Sequence, residues 1–188
     1  MKHWERFKSA VSKVDSAGLS TLREAATRDS VRDLQQKIGV NLGDELVELL
    51  LIHNGQEQWS DGELTQGLFS GYHFNGVDEI AEHHRSLSKQ LAEGFLTYES
   101  EVEEPALRQG GQNWRPEWIP FGQLTFETAL ITDLAPGPDG TVGQVFLRSN
   151  EHTLSKVLSP NLGSFLLRYA ELLTTKGTHP SLWTSFAA

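Results

Sequence analysis

Cysteine is absent from this chain of 188 residues, and methionine occurs once. The first absence removes disulfides, thiolate metal sites and cysteine nucleophiles together, and it fits a reducing compartment. No apolar run approaches the ~20 residues that a membrane-spanning helix needs. The longest apolar pieces, Leu49-Leu50-Leu51-Ile52 and Phe165-Leu166-Leu167, have the length of core segments. Positive charge is scarce as well: 16 Lys and Arg stand against 25 Asp and Glu, a formal net charge of -9. The cations form no cluster, so nucleic-acid phosphates would be repelled. The first residues, Met1-Lys2-His3-Trp4-Glu5-Arg6-Phe7, lack the apolar stretch and small-residue cleavage site of a secretory signal. The expectation is a cytoplasmic protein that binds neither nucleic acid nor membrane.

What is present has the composition of a globular domain: 38% hydrophobic residues, with nine Phe and five Trp. A chain of this size is most simply one domain with a substantial core. Trp4, Phe7, Val11 and Val14 recur at spacings of three and four, which predicts an amphipathic helix ending near Gly18, an accessory element over residues 1–20. A second helix is expected from an Asp29 or Ser30 N-cap through Val31, Leu34 and Ile38 to Gly39. A third, capped by Asn41, carries Leu46, Leu49, Leu50 and Ile52 and ends at Gly55.

After a polar loop over 56–66, the alternation of bulky and small residues from Gly67 to Phe74 predicts a half-buried strand. A fourth helix runs from near Val77 to Leu91, with Ile80, Leu87 and Leu91 inward and Gly94 after its end. Thr97 to Asn113, which holds Glu99, Glu101, Glu103, Glu104, Pro105 and Gly110-Gly111, reads as a solvated loop. Strands are expected around 119–121, 128–134 and 143–147, with Asp139-Gly140 turning the last two. Ser159-Pro160-Asn161 starts a closing helix that reaches about Thr174. The segment 175–188, with Pro180, Leu182, Trp183 and Phe186, is apolar enough to dock on the domain or on a neighbour. The expected fold is α+β: a single domain in which a mixed, mostly antiparallel sheet packs against several helices.

No catalytic, cofactor or metal site is predicted. His83 and His84 are adjacent, so on a helix they diverge by roughly 100°, unlike the i, i+4 pair of a zincin. Ser86-Leu87-Ser88-Lys89 matches a Ser-x-x-Lys pattern without its companion elements. Gly137, Gly140 and Gly143 form a turn without the Lys and Ser/Thr of a phosphate loop. Asp133, at the end of an apolar strand, is either a functional carboxylate or an acceptor for the amides of the following turn, the second being favoured. Trp114 and Trp118 beside prolines are interface anchors or members of a packed corner, again with the second favoured. The acidic run Glu99 to Glu104 is a solvated loop or a bait that accelerates encounter with a cationic partner.

The order of short motifs carries more than any one of them. His53-Asn54-Gly55 at a helix end is followed by Gly67-Leu68-Phe69, then Trp118-Ile119-Pro120-Phe121-Gly122, Ile131-Thr132-Asp133, Val142-Gly143-Gln144-Val145 and Asn161-Leu162-Gly163-Ser164-Phe165-Leu166. Over Leu22 to Leu173 this series resembles the SUKH superfamily, which joins fungal cell-wall-assembly regulators (Smi/Knr) and bacterial toxin-immunity proteins. Two places depart from the family pattern: Leu42-Gly43 stands for Leu-Pro, and Gln123 to Glu127 replaces a polar Gly/Asp-rich turn. The second departure puts partner specificity in doubt.

The resemblance implies an α+β domain over 21–174 and no established catalytic residues. It implies a protein partner, preferably a cognate toxin domain with a basic surface that the chain neutralises as an immunity protein. The alternative is a regulatory or scaffold module of the fungal kind. An enzyme would require His53, His73 and Asp133 to converge in one pocket. The expected partner surface combines Glu99, Glu101, Glu103 and Glu104 with Trp114, Trp118 and Asp133, on a monomer or weak homodimer.

Overall fold

The computed structural model describes residues 2–60, 62–97, 105–107, 110, 112–125, 127–149, 155–182 and 184–186. Its elements run α1 (Lys2–Val11), α2 (Ser16–Ser20), α3 (Arg28–Ile38), α4 (Asp44–Leu50), β1 (Trp59–Ser60), β2 (Glu63–Leu64), β3 (His73–Phe74), α5 (Val77–Ala92), β4 (Trp118–Gln123), β5 (Thr128–Asp133), β6 (Gln144–Ser149), β7 (Lys156–Ser159) and α6 (Leu162–Lys176). Strands β3 to β7 form one sheet in sequence order, and every pairing is antiparallel. The α+β fold expected from the sequence is therefore observed, with no parallel pair among the described strands.

Period-two alternation divides the central strands between two cores. Ile119, Phe121, Leu130, Val145 and Leu147 face the main core, together with α1, α4 and α6. Trp118, Ala129, Ile131 and Phe146 face a smaller cluster on the other side, completed by Leu87, Leu96, Leu107 and Trp114. Both faces of β4, β5 and β6 are thus dry, which explains why their sequences read as apolar runs.

Helix α1 packs along α6 and buries Trp4, Phe7 and Val11 in the main core. The Phe7 ring lies 5.4 Å from Phe69 and 5.5 Å from Tyr169. The helix stops at Val11, earlier than the spacing predicts, and Asp15 starts the separate α2 by accepting from the Gly18 N–H at 3.0 Å. Asp15 also lies 3.2 Å from His179 Nε2, His179 Nδ1 is 2.8 Å from the Tyr169 hydroxyl, and that hydroxyl is 2.8 Å from Ser70 Oγ. Leu182 and Phe186 are buried beyond this chain of polar contacts, with Phe186 stacked on Phe165 at 5.4 Å.

Several boundaries differ from expectation for identifiable reasons. Helix α3 is capped by Thr27 rather than Asp29 or Ser30: the Thr27 hydroxyl and Ser30 form a reciprocal capping box. Gly39 closes it in the left-handed region, as expected. Helix α4 begins after Gly43, not Asn41, and ends at Leu50, well before Gly55. The strand predicted over 67–74 shrinks to β3, because Phe69 and Tyr72 bridge across a tight turn at Ser70 and Gly71. The polar segment 56–66 contains the β1–β2 hairpin.

Gln56 holds this irregular region together from a fully buried position. Its Oε1 accepts from the N–H groups of Leu68 and Phe74, and its Nε2 donates to Gln66 O at 2.6 Å and Thr21 Oγ1 at 2.7 Å. One side-chain amide so supplies partners that the two-residue edge strand β3 would otherwise lack.

Candidate interaction site

The residues singled out from sequence fall in different environments. Glu99, Glu101, Glu103 and Glu104 lie outside the described residues. Trp114 and Trp118 are both 0% exposed and sit in the smaller core, with centroids 6.3 Å apart in an edge-on arrangement. Trp118 also meets Phe146 at 4.8 Å, while Trp114 Nε1 donates to Ser88 Oγ at 3.1 Å. In this structure neither indole reaches the surface.

Asp133 is buried at the end of β5, between Trp118 on β4 and Gln144 on β6. One carboxylate oxygen accepts from the Ala135 N–H at 3.0 Å and the other from Gln144 Nε2 at 3.0 Å. Gln144 in turn spans the following turn by donating to Ala106 O and accepting from the Thr141 N–H. Burial pushes the Asp133 carboxyl up to about 6, against the opposing pull of these bonds and of the Arg115 charge.

The folded state holds that proton up to about pH 6 while the unfolded chain releases it near 3.8, so the folded state binds more protons in between. The associated stability is present below pH 3.8 and gone above about 6; a shift of this size is worth at most ~3 kcal/mol. Urea unfolding of wild type and Asp133→Asn at pH 4, 5, 6 and 7 should show a wild-type decline with rising pH, relative to the variant. Parallel curves would remove the assignment.

Two of the three groups whose convergence an enzyme would require are far apart. His73 pairs with Gln123 and Asp133 pairs with Trp118, at opposite ends of β4; five residues of strand separate such positions by ~16 Å. Each side chain is also occupied locally. His53 Nδ1 donates to Arg23 O at 2.9 Å and His73 Nε2 to Thr65 O at 2.8 Å. His84 Nε2 donates to Pro116 O at 2.8 Å, and burial pulls its pKa down. Among the described residues no group of three or more His, Asp or Glu is placed to hold a metal ion.

The His53-Asn54-Gly55 motif is a structural junction. Asn54 Oδ1 accepts from the Val77 N–H at 2.9 Å and so caps α5 from a distant loop, which also takes the Asn54 N–H to Glu24 O at 2.8 Å. Gly55 O accepts from the Arg23 N–H at 3.0 Å. Arg23 Nη2 meets Glu79 Oε2 at 2.6 Å, and the same oxygen accepts from the Gly76 N–H. Three segments, 21–24, 53–56 and 75–79, are locked together there.

A concave feature opens beside α4. A groove of about 410 Å3 is walled by Leu42, Leu46, Leu134, Val142 and Leu162, with Gly43 and Gly143 at its margins. Asp44 and Glu45 supply its charge, and no Lys or Arg lines it. Glu45 is already engaged, accepting from the Gly163 N–H at 3.1 Å in the first turn of α6. Thr132, on the helix-facing side of β5, also lines the groove, and its hydroxyl is buried without a hydrogen-bond partner. A threonine inside an apolar run is ordinary strand composition, so Thr132 gives no signal in the sequence. Gly43, at the Leu42-Gly43 departure noted above, was the signal that could have marked the place.

An antiparallel sheet with two unequal cores, and helices banked on the larger one, defines an α+β domain. Comparison with known proteins agrees with that description. The model of the SMI1 / KNR4 family (SUKH-1) matches residues 25–168, and the chain belongs to this family. It is 22% identical over 180 residues to the cell wall assembly regulator SMI1 of Saccharomyces cerevisiae, covering 80% of this chain and 36% of that protein. It is 24% identical to the glucan synthesis regulatory protein of Neurospora crassa, over 82% of this chain and 34% of the relative. With the cell wall biosynthesis/cell cycle regulator smi1 of Schizosaccharomyces pombe it shares 28% identity, over 75% and 29%. The chain thus spans about a third of the length of these relatives, all of them named as regulators rather than enzymes.

Proposed function

We propose that this chain is a non-catalytic protein-binding module that takes part in regulating cell wall assembly. The family match over 25–168 to proteins named as wall and glucan-synthesis regulators carries this reading. It favours the regulatory alternative over toxin neutralisation, since none of the three relatives described above is named as an immunity protein. The local engagement of His53, His73 and Asp133 supports a non-catalytic role. A net charge of -9 favours a partner with a basic surface, through faster encounter more than through added affinity. No described helix is long and apolar enough to cross a membrane, and a cytoplasmic setting remains part of the proposal.

The test is affinity capture with the full chain as bait in lysate of its own cells. Stoichiometric recovery of a wall-synthesis or wall-signalling protein is the expected result. Recovery of a toxin domain encoded beside the gene, with loss of toxicity in its presence, would replace regulation by immunity.

A further inference from the structure

We propose that the groove between α4, the end of β5 and the start of α6 receives a short basic peptide segment that inserts one apolar side chain. The inference rests on the protein-binding reading above and names the place and chemistry of binding.

Three independent observations converge on it. The first is apolar surface left open: Val142 is 67% exposed at the rim while Leu42, Leu46 and Leu162 line the groove below. A volume of about 410 Å3 lies toward the small end of the ligand-site range of roughly 300–1,000 Å3, which suits one or two side chains rather than a cofactor. The second is charge. Asp44 is exposed at the margin, and Glu48 follows one helical turn later on the same face of α4. With no cation among the lining residues, an anionic ligand is disfavoured and a Lys or Arg beside the inserted side chain gains a partner.

The third is Thr132. Its hydroxyl lacks both a partner and solvent, an arrangement that native interiors rarely retain. Its neighbours in the strand do not share this condition: the Asp133 carboxylate, on the opposite face, is bonded through both oxygens. A main-chain amide or hydroxyl that enters the groove with an apolar side chain reaches Thr132 by displacing the atoms that cover its hydroxyl, and satisfies it. A purely hydrocarbon occupant leaves the same hydroxyl unpaired and gains nothing there. Apolar walls therefore supply affinity, Thr132 supplies selectivity, and Asp44 with Glu48 supplies direction.

The experiment is an NMR titration of the full chain with acetylated and amidated seven-residue peptides. These carry Lys or Arg on both flanks and Leu, Ile, Phe, Ala or Asp at the centre, plus a matching Leu-centred set with Glu flanks. Basic peptides with Leu, Ile or Phe should bind at least about tenfold tighter than Ala-centred or Glu-flanked ones, with saturable shifts at the amides of Gly43, Leu134 and Gly143. Val142→Asp, an exposed substitution, should abolish binding, and Asp44→Lys should weaken it about fivefold at low salt but less at high salt. Thr132→Val keeps the shape and should weaken binding about 5- to 10-fold while leaving the melting temperature equal or higher, the mark of a ligand contact rather than a structural bond.

Saturable shifts confined to another face, such as the β1–β2 hairpin, would overturn the groove and leave the protein-binding reading intact. Absence of saturable binding by every peptide would overturn the occupant. If Val142→Asp captures the lysate partner as well as wild type does, the module binds elsewhere and the groove assignment falls alone.

Discussion

Replacing Gly55 by alanine should lower the unfolding free energy by ~3 kcal/mol or more, whereas the same change at Gly39 should cost only ~1 kcal/mol. Both glycines are left-handed, with φ of 76° and 72°, so the torsional penalty is shared. Their surroundings are not alike. A Cβ at Gly39 meets nothing within 4 Å. A Cβ at Gly55 would stand 2.3 Å from the Gly76 nitrogen, 2.8 Å from the Asn75 carbonyl carbon and 2.6 Å from Arg23 Nη2. Only the guanidinium can swing aside.

The backbone at 75–76 is held from several directions. The Asn75 N–H donates to Phe121 O, Asn75 Nδ2 donates to Pro120 O, and the Gly76 N–H donates to Glu79. Relief of the clash therefore moves β4 or the start of α5. Urea denaturation of the two variants side by side checks this, and equal losses would show that the close approach at the junction is absent in solution.

Trp118→Ala should be the second large loss, ~3–5 kcal/mol by the usual cost of truncating a buried tryptophan. For a chain of this length that corresponds to a fall in melting temperature of roughly 10 °C. The smaller core has few members, and Trp118 contacts two of its largest, Phe146 and Trp114. So small a cluster has little capacity to collapse into the space left behind. The variant separates two roles for this indole: a packed residue loses melting temperature at any partner concentration, whereas a surface anchor would lose binding with an unchanged melting temperature. Thermal unfolding by circular dichroism, without partner, decides it.

Helices α5 and α6 were legible in the sequence because long apolar periodicity and strong end signals coincide: Gly94 beyond the one, Asn161 before the other. The central strands were legible through their apolar runs. The β1–β2 hairpin was not, since Trp59 and Leu64 pair across it while remaining exposed, and nothing in an exposed two-residue pairing produces a burial pattern. Strand β7 was missed because its four residues are too few to show alternation.

The structural role of Gln56 was illegible for a different reason. A polar side chain that replaces missing ladder bonds looks, in sequence, like any other polar residue of a loop. The candidate site divides in the same way. Asp44 and Glu45 passed as ordinary acidity at a helix start, while the significance of Thr132 depends on which of its neighbours lacks a partner, and only coordinates can tell.

The contact between α1 and α6, fastened by Asp15 and His179, has a consequence for how such a unit is carried within a larger polypeptide. The two helices run parallel: a Cβ on Gly163, in the first turn of α6, would stand 2.8 Å from the His3 ring near the start of α1, while Asp15 and His179 meet beyond the opposite ends of both helices. A polypeptide that leads into α1 therefore arrives beside the first turn of α6 and the Leu162 wall of the groove, whereas the 15-residue α6 ends about 22 Å away. Any region attached ahead of the unit is thus delivered to the edge of the groove by the fold itself.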